Sequence, residues 1–167
     1  MSKVRGFEVV RENARTAFET FTGENKQKVT FPIDIKLPTR GSAKSAGYDF
    51  YNPKKIQILP GQKTIIFTDV KAYMPEGWVL KIYIRSSLAI KKGIMLSNNV
   101  GIVDCDYYGN EGNDGNIGIP LVNTSGTAVT LDAGERIAQG IFEQFGTIDE
   151  DVIQTEIRKG GFGSSGK

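Results

Sequence analysis

The chain contains no histidine and a single cysteine, Cys105. Lack of histidine excludes Ser-His-Asp and Cys-His nucleophile systems and most zinc and non-haem iron sites. One cysteine excludes intrachain disulfides and thiolate metal clusters. Cys105 stands between Asp104 and Asp106, whose charge disfavours a thiolate, so it reads as an ordinary strand residue. A dominant charge is lacking too. The 21 Lys+Arg against 19 Asp+Glu leave +2, too little to argue for nucleic acid, and no such partner is expected. No apolar run nears the ~20 residues of a transmembrane helix, so no membrane partner is expected either. The start, "MSKVRGFEVVRENAR", has no uninterrupted apolar stretch of the signal-peptide kind, which favours the cytoplasm. Chemistry is left to carboxylates, hydroxyls, Arg and Lys, backbone amides, or a hard cation such as Mg²⁺ held through oxygen.

What is present suits one ordinary domain over residues 1–167, with 39% hydrophobic residues to build a core. "KIQIL", "KTIIFTDV", "VLKIYI", "GNIGIPLVN", "TAVTL" and "AGERIAQGIFEQF" are alternating or β-branched runs separated by turn signals. Strands at this spacing predict an all-β sandwich, barrel or jelly roll. Val10, Ala14, Ala17, Phe18 and Phe21 follow a helical period, so a short helix is expected there, with Gly23 as its cap. "SSLAIKKG" predicts one more helical turn, ended by Gly93. "GNEGNDGN" (109–116) reads as a loop at a hairpin tip.

The stretch "NNVGIVDCDYYGN" (98–110) poses the sharpest question. A straight strand would put Asp104 and Asp106 on one face, where two carboxylates repel and are costly to bury unpaired. "IRSSLA" sets Arg85 and two serines at a strand end, either plain surface or an anion cradle of a guanidinium fork and hydroxyls. "GSAKSAGYDFY" holds Asp49 among small residues, as a turn or a metal-facing aspartate. Gln139 stands in an otherwise apolar strand, where an unpaired amide would be costly. The tail "RKGGFGSSGK" is a disordered end or a flap. A Walker A reading fails, because no Ser/Thr and no helix follow Lys167.

Together and in order, "SAGYDFY", "IRSSLA", "NNVGIVDCDYYGN", "GERIAQGIF" and "GGFGSSG" resemble the five motifs of the trimeric deoxyuridine triphosphatases (dUTPases), bacterial or phage type. They span residues 46–166, and "KLPTRG" ahead of them also resembles the family. The resemblance implies a distorted jelly-roll-like β-barrel, a homotrimer whose active sites each draw on three subunits, and Mg²⁺-assisted hydrolysis of dUTP to dUMP and pyrophosphate. It makes Asp104 the general base for the attacking water and Tyr107 the ring packed under the deoxyribose. Backbone groups of Gly101, Ile102, Val103 and Asp104 read the uracil edge, and Asn98 supports that hairpin. The hairpin must then bend, so that Asp104 faces substrate and Asp106 makes structural hydrogen bonds. The rival is a paired-carboxylate site with one raised acid.

By the same resemblance Arg85, Ser86 and Ser87 bind phosphate, Ser87 replacing a residue that is often glycine. Gln139 contacts the phosphates, and Asp49 holds Mg²⁺ through water while the triphosphate carries most of the metal. Residues 158–167 form a mobile flap in which Phe162 closes over uracil and Gly163, Ser164 and Ser165 meet the terminal phosphate. The family's flap arginine lies five residues before the phenylalanine. Here Ile157 holds that place, and Arg158, one residue closer, is expected to reach phosphate instead. Residues 11–30 look like an insertion, the natural place for a regulatory protein partner. The rival functions are a dCTP deaminase, which also carries "RSSLA" but not the Asp104–Tyr107 pattern, and a non-catalytic regulatory or binding β-domain.

Overall fold

The alternating runs fold as strands in a computed structural model, which describes residues 3–16 and 34–151. Five strands form the largest sheet: β2 (Thr39–Arg40), β3 (Tyr48–Tyr51), β12 (Arg136–Gln144), β7 (Trp78–Ile84) and β9 (Gly101–Asp104), side by side in that order. A second sheet orders β5 (Lys63–Phe67), β10 (Gly118–Asn123) and β8 (Ile94–Leu96). Two further pairs are β1 (Gly6–Val9) with β6 (Val70–Tyr73), and β4 (Ile56–Ile58) with β11 (Val129–Leu131). All described pairings are antiparallel. The chain is mostly β, with one α-helix, α1 (Ser86–Lys92), among the described residues. None of the described helices is long and apolar enough to cross a membrane.

Period-2 alternation decides which face is buried. Phe50, Leu80, Ile82 and Ala138 point from the large sheet into the core, where they meet Ile119, Leu121 and Leu96 of the second sheet. Each of the Leu, Ile and Phe side chains stabilises the fold by about 1.5–3 kcal/mol on burial, and the Ala138 methyl by less. Gly140 lets this sheet pack closely, because a Cβ there would come within 2.9 Å of both Leu80 and Phe50. Phe7 of β1 stacks its ring 5.4 Å from Tyr48, 5.5 Å from Phe50 and 5.3 Å from Phe142, which fastens the N-terminal strand over the large sheet.

Several sequence expectations are corrected. The helix expected from Val10 onward is, in the described residues, a single 3₁₀ turn at Glu12–Ala14, and Arg15 is already extended. Tertiary contacts override the helical period: the Arg11 N–H donates to Asp114 Oδ2 and the Thr16 N–H to Asp69 Oδ1, so neither amide serves a helix. Ala17, Phe18, Phe21 and Gly23, with most of the 11–30 insertion, lie outside the described residues. "KTIIFTDV" is two strands rather than one, because Asp69 adopts a φ of 56° between β5 and β6. The 109–116 loop is no hairpin tip. It links β9 to β10, which belong to different sheets. The expected hairpin around Asn98 is likewise a crossing between sheets, since β8 pairs with β10 and β9 with β7. Helix α1 is longer than one turn and ends as expected on Gly93, whose φ of 65° suits a residue without Cβ.

Candidate active site

The large sheet positions most of the described motif residues. Its register puts Thr39, Asp49, Gln139 and Tyr83 in one row across four strands. Arg85 follows β7 directly and begins α1, with Ser86 and Ser87 exposed in the first turn. Asp49 is buried, and it joins two cations. Arg85 Nε lies 3.0 Å from Oδ1 and Arg136 Nη1 lies 3.2 Å from Oδ2. Each guanidinium is thereby aimed by a fixed carboxylate.

Beside this pair is a cleft of about 510 Å³ lined by Lys36, Tyr51, Arg85, Ser87, Glu135 and Arg136. Lys36 Nζ sits 3.9 Å from the Tyr51 ring centre. Glu135 is engaged by Lys92 Nζ at 2.6 Å, and Arg85 and Arg136 share the one carboxylate of Asp49, so the cations at the cleft outnumber its carboxylates. Such a cleft suits a polyanion. Gln139 donates only a long 3.5 Å bond to the Ile84 carbonyl, and Gly47 makes room for its side chain. A Cβ on Gly47 would come 2.6 Å from Gln139 Oε1.

Asp104 ends β9, opposite Val79. A 3₁₀ turn, Cys105–Tyr107, follows at once, leaving Asp104 half-buried and Asp106 exposed. The strand therefore bends where the two carboxylates would otherwise have crowded one face. Burial, then the charges of Asp106, Glu76 and Asp104, push the Cys105 thiol up, so it is no ready nucleophile. Among the described residues β9 is an edge strand, pairing with β7 alone. Alternate N–H and C=O groups of Gly101, Ile102 and Val103 consequently point away from the sheet. Ile102 is 55% exposed, and Asn98 is exposed in the turn before the strand. Tyr107 is buried; its hydroxyl donates to the Asn116 carbonyl at 2.9 Å and accepts from Asn113 Nδ2 at 2.7 Å.

The structure thus brings Asp49, Arg85, Ser87 and Gln139 together, and holds Asp104 and Tyr107 apart from them. Sequence reasoning missed Arg136, Lys36 and Tyr51. Each lies inside or beside a quoted motif, but only the register, with Tyr51 opposite Arg136, brings them to one cleft. Arg158, Phe162, Gly163, Ser164 and Ser165 lie outside the described residues. Among the described residues no three Asp, Glu, His or Cys side chains converge as a metal cage. Asp49 still fits an outer role, because a carboxylate oxygen that accepts from one guanidinium keeps a lone pair for a metal-bound water.

The dUTPase family model matches residues 34–166. The deoxyuridine 5'-triphosphate nucleotidohydrolase of Lactococcus lactis subsp. lactis (strain IL1403) is 39% identical over 165 residues, 98% of this chain and 99% of that protein. The mouse enzyme of the same name is 38% identical over 134 residues, 78% of each chain. The crystal structure of dUTPase from Streptococcus mutans superposes with a TM-score of 0.70 at 38% identity, covering 86% of this chain and 98% of that one. The dUTPase of Staphylococcus aureus phage phi11, at 20% identity and a TM-score of 0.65, shares the fold over 92% of this chain and 98% of its own. On the family match and the near full-length identity, the chain belongs to the dUTPase family.

Proposed function

We infer that the protein hydrolyses dUTP to dUMP and pyrophosphate, as a homotrimer of jelly-roll-like barrels whose sites combine residues of different subunits. The observation that carries this reading is a direction. Along β7 the order of partners is Asp104 at Val79, Ile102 at Lys81, Gly101 at Ile82, and then Arg85. Val79 and Arg85 are six residues apart, about 20 Å at ~3.4 Å per strand residue. A nucleotide whose base lies on Gly101–Val103 and whose α-phosphorus lies at Asp104 therefore points its triphosphate away from its own Arg85. The Lys81–Glu143 ion pair also stands on the sheet between the two halves. A cradle from a second copy removes the conflict.

In that assembled site Asp104 accepts a proton from a water molecule as the water oxygen bonds to the α-phosphorus. The bond from that phosphorus to the αβ-bridging oxygen breaks, and pyrophosphate leaves. Arg85, Arg136 and Gln139 hold the phosphate oxygens, with Ser86 and Ser87 as hydroxyl donors. Mg²⁺, when bound, would supply charge neutralisation on the triphosphate, and Asp49 would help to hold it through its water shell. Tyr107 fills the space a 2′-hydroxyl would need.

The test is pyrophosphate release with Mg²⁺ from dUTP, dCTP, dTTP and UTP, for wild type and Asp104→Asn. Release from dUTP alone, abolished in the variant while dUTP still binds, is the expected result. Ammonia from dCTP, or silence on every nucleotide, would overturn the reading.

A further inference from the structure

The loop after Tyr107 has a period of three: Gly109, Gly112 and Gly115 each precede Asn110, Asn113 or Asn116 by one residue. The asparagines hold Tyr107 at both ends. Asn110 Nδ2 donates to the Tyr107 backbone carbonyl at 2.9 Å. Asn113 Nδ2 donates to the phenol oxygen at 2.7 Å, and that hydroxyl donates to the Asn116 carbonyl. The asparagines also bind one another's segment: Asn110 Nδ2 donates to Asn113 Oδ1 at 2.8 Å, and Asn113 Oδ1 accepts from the Gly115 N–H. Gly115 has a φ of 82°, and a Cβ on it would lie 2.8 Å from the Tyr107 carbonyl oxygen, so only glycine lets the loop close this tightly.

The far side of the loop is braced. Asp114, buried, receives the Lys71 ammonium at 2.9 Å and the Arg11 backbone N–H at 2.7 Å. Asn116 Nδ2 donates to Asp69 Oδ1 and to the Ala14 carbonyl. A buried polar network satisfied to this extent is rigid, and its members hold one geometry.

We propose that Asn110, Asn113 and Asn116 are positioning residues that lock the Tyr107 ring, so that the 109–116 loop sets the discrimination between deoxyribose and ribose nucleotides. This rests on the placement of Tyr107 under the sugar in the proposed function. Excluding one hydroxyl by shape alone needs a wall that does not yield. A ring free to tilt admits the 2′-oxygen, whereas a ring fixed within about 10–20° does not. The loop thus acts on substrate choice through Tyr107, without touching substrate.

The experiment compares kcat/KM for dUTP and for UTP in wild type, Asn113→Ala and Asn110→Ala. Asn113→Ala deletes the donor to the phenol oxygen, and Asn110→Ala deletes the donor to the Tyr107 carbonyl. The dUTP/UTP ratio is expected to fall about tenfold in both variants, with UTP turnover rising in absolute terms, since discrimination against an added hydroxyl is worth about a hundredfold in an apolar pocket. A purely structural loop would lower both substrates together and leave the ratio unchanged, which would overturn the proposal. If Asn113→Ala does not fold, Asn110→Ala alone decides. Failure of the broader reading shows separately, as a wild type inactive on dUTP.

Discussion

Asp49 is the residue whose removal has the most calculable effect. Asp49→Asn keeps the shape of the side chain and deletes its charge between Arg85 and Arg136. The Arg85 contact, at 3.0 Å with that side chain 24% exposed, is a largely desolvated charge-assisted bond, worth about 1.5–3 kcal/mol. Arg136 is 48% exposed, so its contact is screened and adds about 0.2–1 kcal/mol. The sum is a loss of about 2–4 kcal/mol. A chain of this size loses about 2–4 °C of Tm per kcal/mol, so the variant should melt roughly 5–15 °C lower. The assay is calorimetry at fixed protomer concentration, because an oligomer's Tm depends on it. Arg136→Gln serves as control and should cost far less, and the double variant should show coupling with Asp49→Asn. A fall of under about 1 °C in Asp49→Asn would refute the assignment of Asp49 as the carboxylate that aims both guanidinium groups.

Further outcomes follow from packing and charge. Gly47→Ala should lower Tm only a little, because the hard clash is with the tip of the flexible Gln139 side chain and the 3.2 Å approach to its Cβ needs only a slight shift, yet lower kcat/KM about tenfold by displacing Gln139; equal loss of stability and activity would contradict this. Gly140→Ala overpacks the core against Leu80, Phe50 and Ile82 and should cost about 1–3 kcal/mol, read as a lower urea midpoint. Burial raises the Asp114 carboxyl, but the Arg11 N–H and Lys71 outweigh it and hold the group below its ordinary value. A carboxylate depressed on folding stabilises above its unfolded value, and the contribution is lost as pH falls through the folded one. Asp114→Asn should therefore cost about 3 kcal/mol at pH 7 and progressively less below about pH 4; a Tm gap that stays constant with pH would refute the linkage.

The strands were legible because alternation and turn residues act locally: "VLKIYI" needs no partner to declare two faces. The chemistry was legible only through motif order, since Arg85, Asp49 and Gln139 each have an ordinary surface reading when taken alone. What stayed hidden was long-range. Nothing near Arg136 announces that it will meet Asp49, 87 residues earlier in the chain. The helical period after Val10 misled because Asp69 and Asp114, from remote segments, capture the amides a helix would use. The asparagine loop looked like a simple turn, because its composition is that of a turn. Its grip on Tyr107 appears only once the chain has folded back.

The central claim, that Asp104 of one subunit works on phosphates held by Arg85 of another, is tested most directly by subunit complementation. Asp104→Asn and Arg85→Gln are each purified, and both should be inactive in dUTP hydrolysis. Unfolded together and refolded as an equal mixture, they form mixed trimers in which a site is intact when the subunit giving its Asp104 is the Arg85→Gln variant and the subunit giving its Arg85 is the Asp104→Asn variant. Random head-to-tail assembly makes that about one quarter of sites. The account predicts recovery of about a quarter of wild-type activity. Mixed trimers that stay as inactive as their parents would contradict it.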